Sequence, residues 1–181
     1  MQSVDLSSSF FTLFDLPESF DVDRKILTER YRTLQRTVHP DRFANAAESE
    51  RRLSVQMATR INEGYQTLKD PLARGRYLLE LRGVVLDDMD TAFDGEFLME
   101  QMELRERLGT VKECADPHQQ VQKIADDIST RKNEITETLA VSFIENTSES
   151  LEKARDLTRK LQFFSRLEEE VDVLDDDLSD Y

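Results

Sequence analysis

The apolar residues in the first half of the chain recur every three or four positions, which is the spacing of one face of an α-helix. Serines precede the first apolar segment and can cap a helix there. Pro40 ends the second predicted helix, and the pair Asp70-Pro71 supplies the cap and the first residue of the fourth. The predicted helices cover residues 10–16, about 23–38, about 49–69 and 71–83. The third carries an apolar stripe formed by Leu53, Met57, Ile61, Tyr65 and Leu68. We therefore predict a small helical module centred on an antiparallel helix pair.

Three longer helical patterns follow residues 84–94, where acids and isolated apolar residues predict a connector. The first pattern covers about 95–113, the second begins at Asp116-Pro117, and the third begins at Asn146, with Glu149 placed three residues on as in a capping box. Helices joined by short loops favour an antiparallel three-helix bundle. The charge run at the end of the chain, DVLDDDLSDY, is predicted to be a frayed, solvated tail.

The predicted fold class is therefore all-α, with an N-terminal domain at 1–83, a connector at 84–94 and a three-helix bundle at 95–181. Five Gly and four Pro in 181 residues are too few for the turns of an all-β sandwich or barrel. No apolar run approaches the roughly 18 residues of a membrane span, so a soluble protein with no membrane partner is expected. The first residues lack the basic segment of a signal or transit peptide, and a single cysteine suits a reducing cytoplasm.

Charge divides the chain near Gly83. The formal net charge is −14, but residues 20–82 carry 13 bases and nine acids, whereas residues 83–181 carry 11 bases and 26 acids. The acidic half argues against nucleic acid as a partner, because phosphate repels it. The weakly basic module is suited instead to an acidic protein surface.

Residues of the kind used in catalysis are few. His39 and His118 are the two histidines, and Cys114 is the single cysteine. A metal site built from Cys114, Asp116 and His118 is disfavoured because a proline interrupts the helical register between them. The sequence contains no glycine-rich phosphate loop and no His-Glu-x-x-His pattern. We expect no catalytic residue, no metal and no cofactor; a metal-dependent hydrolase using His39 and Asp41 is the enzyme alternative.

The tripeptide His39-Pro40-Asp41 lies where the two central helices of the first module turn. Lys25, Arg32 and Arg36 share the helix face that leads to it. One interpretation is that the proline ends a helix and its two polar neighbours are loop residues with no specific role. The other is that a polar loop at the end of a cationic stripe docks an acidic partner, with charge steering the approach and the loop supplying specificity.

At these residues the sequence resembles the J-domain (DnaJ-type) co-chaperones. YRTLQRTVHPDRF resembles their second helix and His-Pro-Asp loop, and INEGYQTLKDP resembles the end of their third helix. Four further segments resemble the HscB branch, which serves iron–sulfur cluster assembly: FFTLFDLP, RGRYLLELRG, FLMEQMELRERL and RKLQFFSRL. The resemblance covers nearly the whole chain, with the segments in the same order.

The resemblance implies a bacterial cytoplasmic co-chaperone that is not itself an enzyme. Its J-domain would stimulate the ATPase of a DnaK-class chaperone of the HscA type, and its bundle would present the scaffold protein IscU to that chaperone. The matching chaperone-binding positions are His39, Pro40, Asp41, Arg32 and Arg36. The matching scaffold-binding positions are Leu98, Met99, Met102, Glu103, Glu106 and Phe163. The alternative function is a J-domain adaptor that delivers a different client.

Two further points concern departures from the family pattern. Gly64 and Gly75 stand where the family commonly has alanine, and each is expected to cost about 1 kcal/mol in a helix interior. Arg42 replaces the more usual lysine after the tripeptide and keeps its charge. The cysteine-rich extension of some eukaryotic members is absent from this sequence, so the resemblance implies no metal.

The residues themselves predict two faces on the first bundle helix. One apolar stripe, spanning about 60°, consists of Phe97, Leu104, Leu108 and Val111 and suffices to bury the helix. Leu98, Met99 and Met102 centre about 150° away. Methionine adapts readily to binding partners, which favours a protein-binding face. The alternative is that this face packs on the first module or on the connector.

Overall fold

The computed structural model describes residues 8–39, 43, 46–87 and 93–179. The described residues form helices and contain no β-strand. Within these ranges the α-helices are α1 (Phe10–Leu13), α2 (Arg24–Val38), α3 (Glu48–Lys69), α4 (Pro71–Leu81), α5 (Gly95–Gly109), α6 (Pro117–Glu145) and α7 (Ser148–Ser179). The chain divides into two compact units, Met1–Arg82 and Gly83–Tyr181, here called the N-terminal unit and the C-terminal unit. The predicted all-α class is confirmed.

Helices α2 and α3 form the antiparallel pair at the centre of the N-terminal unit. Asp23 caps α2 by accepting hydrogen bonds from the backbone N–H groups of Lys25 and Ile26, at 2.8 and 3.1 Å. The ring of Tyr31 in α2 stacks on that of Tyr65 in α3, with centroids 4.1 Å apart. The Tyr31 hydroxyl donates to the Asn62 amide oxygen at 2.8 Å. These cross-helix contacts fix the register of the pair.

The predicted apolar stripe of α3 is wrong at its first member. Ile61 and Leu68 are buried, but Leu53 is 44% exposed and the neighbouring Ser54 is buried instead. Each step of four residues turns a helix by about 40° beyond a full turn, so two steps displace Leu53 by about 80° from Ile61. Ser54 is seven residues from Ile61 and lies only about 20° from its direction. Residues spaced by repeated steps of four therefore drift away from the buried face of the helix, which is why Leu53 is exposed.

Helices α1 and α4 complete the N-terminal unit. Ser9 caps α1 by accepting from the Thr12 N–H, as the run of serines predicts, and the rings of Phe11 and Phe14 are buried. The backbone N–H of Phe10 donates to the Tyr77 hydroxyl of α4 at 2.9 Å. The short first helix is therefore anchored by aromatic packing and by a hydrogen bond to a distant part of the chain.

Gly64 of α3 is required by the close approach of α1. A Cβ atom at this position would lie 2.7 Å from Cδ1 of Phe10 and 3.0 Å from Cε2 of Phe14. Both rings are buried, so neither can move aside easily. The cost of Gly64 in helix propensity is therefore only one of two opposing effects at this position. Alanine here would gain helix propensity but would overpack the contact with α1.

We expect Gly64→Ala to lower the free energy of unfolding by on the order of 1 kcal/mol, because overpacking outweighs the gain in helix propensity. Gly109→Ala is the control, since nothing lies within 4 Å of a Cβ atom there, and it should leave the protein unchanged or slightly more stable. Thermal unfolding followed by circular dichroism measures both. Adding Phe10→Leu to Gly64→Ala should cost less than the sum of the two single changes. A stabilising Gly64→Ala would contradict the packing argument.

The C-terminal unit is a three-helix bundle built on the long hairpin of α6 and α7. Asp116 caps α6, with Pro117 in its first turn, as the sequence predicts. The predicted inward residues of α6 are all buried: Val121, Ile124, Ile128, Ile135 and Leu139. Helix α5 joins this hairpin through the ring of Phe97, whose centroid lies 5.8 Å from that of Phe164 in α7. No helix in the described ranges is long and apolar enough to cross a membrane.

The predicted cap of α7 is wrong by one residue. Asn146 ends α6 in the left-handed conformation, with φ 50°, which asparagine tolerates better than most residues. The cap before α7 is formed by Thr147 and Ser150, whose side chains each accept from the other's backbone N–H, at 3.1 and 2.9 Å. The predicted partner Glu149 has no part in this exchange. Asn146 therefore ends α6, and the next residue, Thr147, caps α7.

The acidic end of the chain is helical and not frayed through Ser179. Asp175 lies 3.7 Å from Nδ1 of His118, and Asp177 lies 3.8 Å from Nζ of Lys112. These side chains lie near the start of α6, so the last turns of α7 continue along the bundle. The charge run is therefore the exposed face of a long helix.

Candidate functional site

The first candidate surface is the outer face of α2. Lys25, Arg32 and Arg36 are exposed along it, and together with Glu29 they line a shallow groove on this helix. Lys25 and Arg32 form no ion pair with any residue that the structure describes. The groove therefore presents positive charge to solvent, within a chain whose overall charge is strongly negative.

His39 follows directly where α2 ends. The helix stops at Val38, which is buried, and His39 is exposed in an extended conformation with φ −54° and ψ 127°. This conformation is the one that a following proline imposes, because the α region is disfavoured before proline. Pro40 and Asp41 lie outside the described residues, so the predicted grouping of all three stays a prediction.

The second candidate surface is the exposed side of α5. Leu98, Met99 and Met102 are 42%, 64% and 72% exposed, whereas Phe97 and Leu104 of the same helix are buried. The predicted division of α5 into a buried and an exposed apolar face is confirmed in its burial. Glu103 and Glu106 are also exposed on this helix. We name Leu98, Met99, Met102, Glu103 and Glu106 the α5 face.

Phe163 of α7 lies beside the α5 face. Its ring is half-buried, with centroids 5.5 Å from Phe97 and 5.4 Å from Phe164, in edge-to-face arrangements. Phe163 and Leu98 line one cavity of about 250 Å³. The structure therefore brings together two of the predicted scaffold-binding residues that are far apart in sequence.

Asp94 and Lys160 hold the start of α5 against α7, and sequence reasoning did not single out either residue. Asp94 caps α5 by accepting from the Phe97 N–H at 2.8 Å, and it accepts from Nζ of Lys160 at 2.6 Å. The hydrogen bond from Lys160, with that from the Phe97 N–H, lowers the pKa of the Asp94 carboxyl. An Asp just before a helical pattern is a cap signal that could have identified Asp94. Its pairing with Lys160 depends on the packing of two helices.

Three arginines that the sequence pattern did not distinguish line the same cavity as Leu98 and Phe163. They are Arg105 of α5 and Arg159 and Arg166 of α7. The guanidinium of Arg105 lies over the Phe163 ring, 5.9 Å from its centroid. Elsewhere in the unit, Cys114 and His118 are exposed, and no group of metal-binding residues is found within the described ranges.

The described residues form an antiparallel helix pair in the N-terminal unit and a three-helix bundle in the C-terminal unit, which is the order of elements expected of a J-domain co-chaperone. Residues 93–172 match the family model described as "HSCB C-terminal oligomerisation domain". A co-chaperone protein HscB homolog of Shewanella loihica is 42% identical over 171 residues, which are 94% of this chain and 99% of that protein. This chain belongs to the HscB family of co-chaperones.

Solved structures support the same conclusion. The chaperone HscB from Vibrio cholerae matches with a TM-score of 0.84 and 41% identity, covering 94% of this chain and 99% of that one. The crystal structure of human co-chaperone protein HscB matches with a TM-score of 0.87 and 33% identity, covering 96% of this chain and 85% of that one. The predicted combination of a J-domain and a C-terminal helical bundle is confirmed.

Proposed function

We propose that this protein is a co-chaperone of iron–sulfur cluster assembly in the bacterial cytoplasm. Its C-terminal unit binds the scaffold protein IscU through the α5 face and Phe163. Its J-domain binds a DnaK-class chaperone of the HscA type and stimulates that chaperone's ATPase. The protein supplies binding surfaces and catalyses no reaction itself.

The observation that carries this proposal is the exposed apolar side of α5. Exposed Leu98, Met99 and Met102 adjoin one another on a helix whose opposite stripe already provides its packing. Contiguous exposed apolar side chains are characteristic of protein-binding sites, and methionine adapts its shape to a partner. Membership of the HscB family makes the scaffold protein the partner that this face fits best.

The J-domain acts by binding one conformation of the chaperone more tightly than the others. A co-chaperone can accelerate hydrolysis only if it binds the hydrolysis-competent conformation of the chaperone more tightly than its other conformations. Arg32 and Arg36 attract an acidic surface of the chaperone, which speeds the encounter. His39, Pro40 and Asp41 then supply the specific contacts.

Two measurements with purified partners test the proposal. The protein should bind IscU in a titration, and it should raise the ATP hydrolysis rate of HscA while hydrolysing no ATP alone. Stimulation without IscU binding would favour the adaptor for a different client. Hydrolysis by the protein alone with added metal would favour the enzyme alternative.

Charge reversal on α2 tests the steering role. We expect Arg32→Glu with Arg36→Glu to weaken binding to HscA by roughly tenfold at low salt, and the difference from wild type should shrink as salt screens the charges. The control is Arg51→Glu with Arg52→Glu, which makes the same charge change at exposed positions on α3. Chaperone titrations at several salt concentrations measure both. An equal loss in the two double variants would show that the position of the charge is unimportant.

A further inference from the structure

The cavity between α5 and α7 contains basic side chains that the apolar character of the α5 face does not explain. Leu98 and Phe163 form part of its wall, and Arg105, Arg159 and Arg166 line it as well. The cavity therefore adjoins the proposed scaffold-binding surface but has a different chemistry. Its volume, about 250 Å³, is sufficient for a carboxylate side chain.

Two arginines of this cavity differ from most bases of the C-terminal unit, because they have no acidic partner among the described residues. Residues 83–181 contain 26 acids and 11 bases, and many of those bases have an acidic partner. Arg107 pairs with Asp127 at 2.8 Å, and Arg131 pairs with Glu100 at 2.6 Å. By contrast, Arg105 and Arg166 form no ion pair with any residue in the described part of the chain. Two guanidinium groups thus remain available where acids are abundant.

Aromatic rings hold two of the guanidinium groups in place. Arg105 lies over Phe163, and the largely buried Arg159 lies over Phe93 at 4.4 Å from its centroid. A guanidinium binds a carboxylate with two matched hydrogen bonds. Asp87 and Glu170 also line the cavity, and Arg159 pairs with Asp156 at 3.7 Å. Arg105 and Arg166 are therefore the guanidinium groups of the cavity that can receive an acid from a partner.

We propose that this cavity receives an acidic side chain of the scaffold protein bound on the α5 face; the inference rests on the proposed function. Continuity supports this occupant, because Leu98 and Phe163 belong both to the cavity and to the predicted binding surface.

The charged residues on the two sides of Met102 around the axis of α5 have opposite signs. Arg105 lies about 60° from Met102 in one direction, and Glu106 and Glu103 lie about 40° and 100° away in the other. A partner with an acid on one flank and a base on the other binds in one orientation.

The test is a titration of IscU with Arg105→Gln plus Arg166→Gln. We expect roughly tenfold weaker binding than wild type and a smaller dependence of the dissociation constant on salt. The control is Lys123→Gln plus Lys153→Gln, which removes the same charge from two exposed bases of this unit that also have no acidic partner among the described residues. The control should change the affinity less than twofold. Equal effects of the two double variants would overturn the proposal.

A charge exchange identifies the occupant. Arg105→Glu should weaken binding, and replacing one acidic residue of IscU by arginine should restore the affinity of this variant while weakening binding to wild type. If no acidic residue of IscU gives such a restoration, the cavity does not bind an acid of the scaffold. If wild type itself does not bind IscU, the proposed function fails. Binding by wild type with no difference between the double variants removes the present inference alone.

Discussion

We expect His39→Gln to reduce ATPase stimulation to the basal rate of the chaperone while leaving helical content and IscU binding unchanged. His39 is exposed and follows the last residue of α2, so the change removes no buried contact of α2. A substitution at an exposed position usually alters stability by about 0.5 kcal/mol or less. Asp41→Asn should have the same effect, since it belongs to the same proposed contact. Single-turnover ATP hydrolysis, circular dichroism and scaffold titration measure the three quantities.

The matched control for this experiment is His118→Gln. It makes the same chemical change at the chain's other histidine, which is exposed in the C-terminal unit beside Asp175. Full stimulation is expected for this control. If His39→Gln or Asp41→Asn also retained full stimulation, the assignment of the turn as the chaperone contact would be wrong.

Replacing Leu98, Met99 and Met102 together by alanine should abolish most IscU affinity with little change in melting temperature. All three side chains are exposed, so their truncation removes area from an interface and not from the core. Stimulation of the chaperone in the absence of scaffold should persist, because the J-domain is unaltered. Scaffold titration and thermal unfolding of the same preparation separate affinity from stability.

Two comparisons make this result interpretable. Val141, Ile144 and Val173 are equally exposed apolar residues of the same unit, and their replacement by alanine should leave IscU affinity unchanged. Leu104→Ala removes a buried side chain of α5 and should cost about 2–5 kcal/mol of stability. If the triple variant on α5 melted as low as Leu104→Ala, its side chains would be core residues. Phe163→Ala should reduce both stability and affinity, since its ring packs on Phe97 and Phe164.

Much of the helical organisation could be predicted from the chain alone, because it depends on neighbouring residues. Asp70 and Asp116 accept hydrogen bonds from the first turns of α4 and α6, as the Asp-Pro pairs predict. The two faces of α5 also follow from spacing, since a helix with 3.6 residues per turn separates Phe97 from Met102. Three predictions were wrong. At Leu53 the buried face includes the neighbouring Ser54, at Asn146 the cap of α7 is the neighbouring Thr147, and the acidic tail continues α7 as a helix through Ser179.

The sequence by itself determined the helices, the boundary between a weakly basic module and an acidic one, and the residues available for each face. The tertiary structure decided which of these residues contact one another. Gly64 leaves room for the rings of Phe10 and Phe14, which lie against α3, and nothing near Gly64 in the sequence indicates that contact. Arg105 and Phe163 line one cavity because α5 packs on α7 through Phe97 and Phe164. Periodicity assigns a residue to a face of its own helix, whereas a site between helices depends on side-chain packing between distant segments.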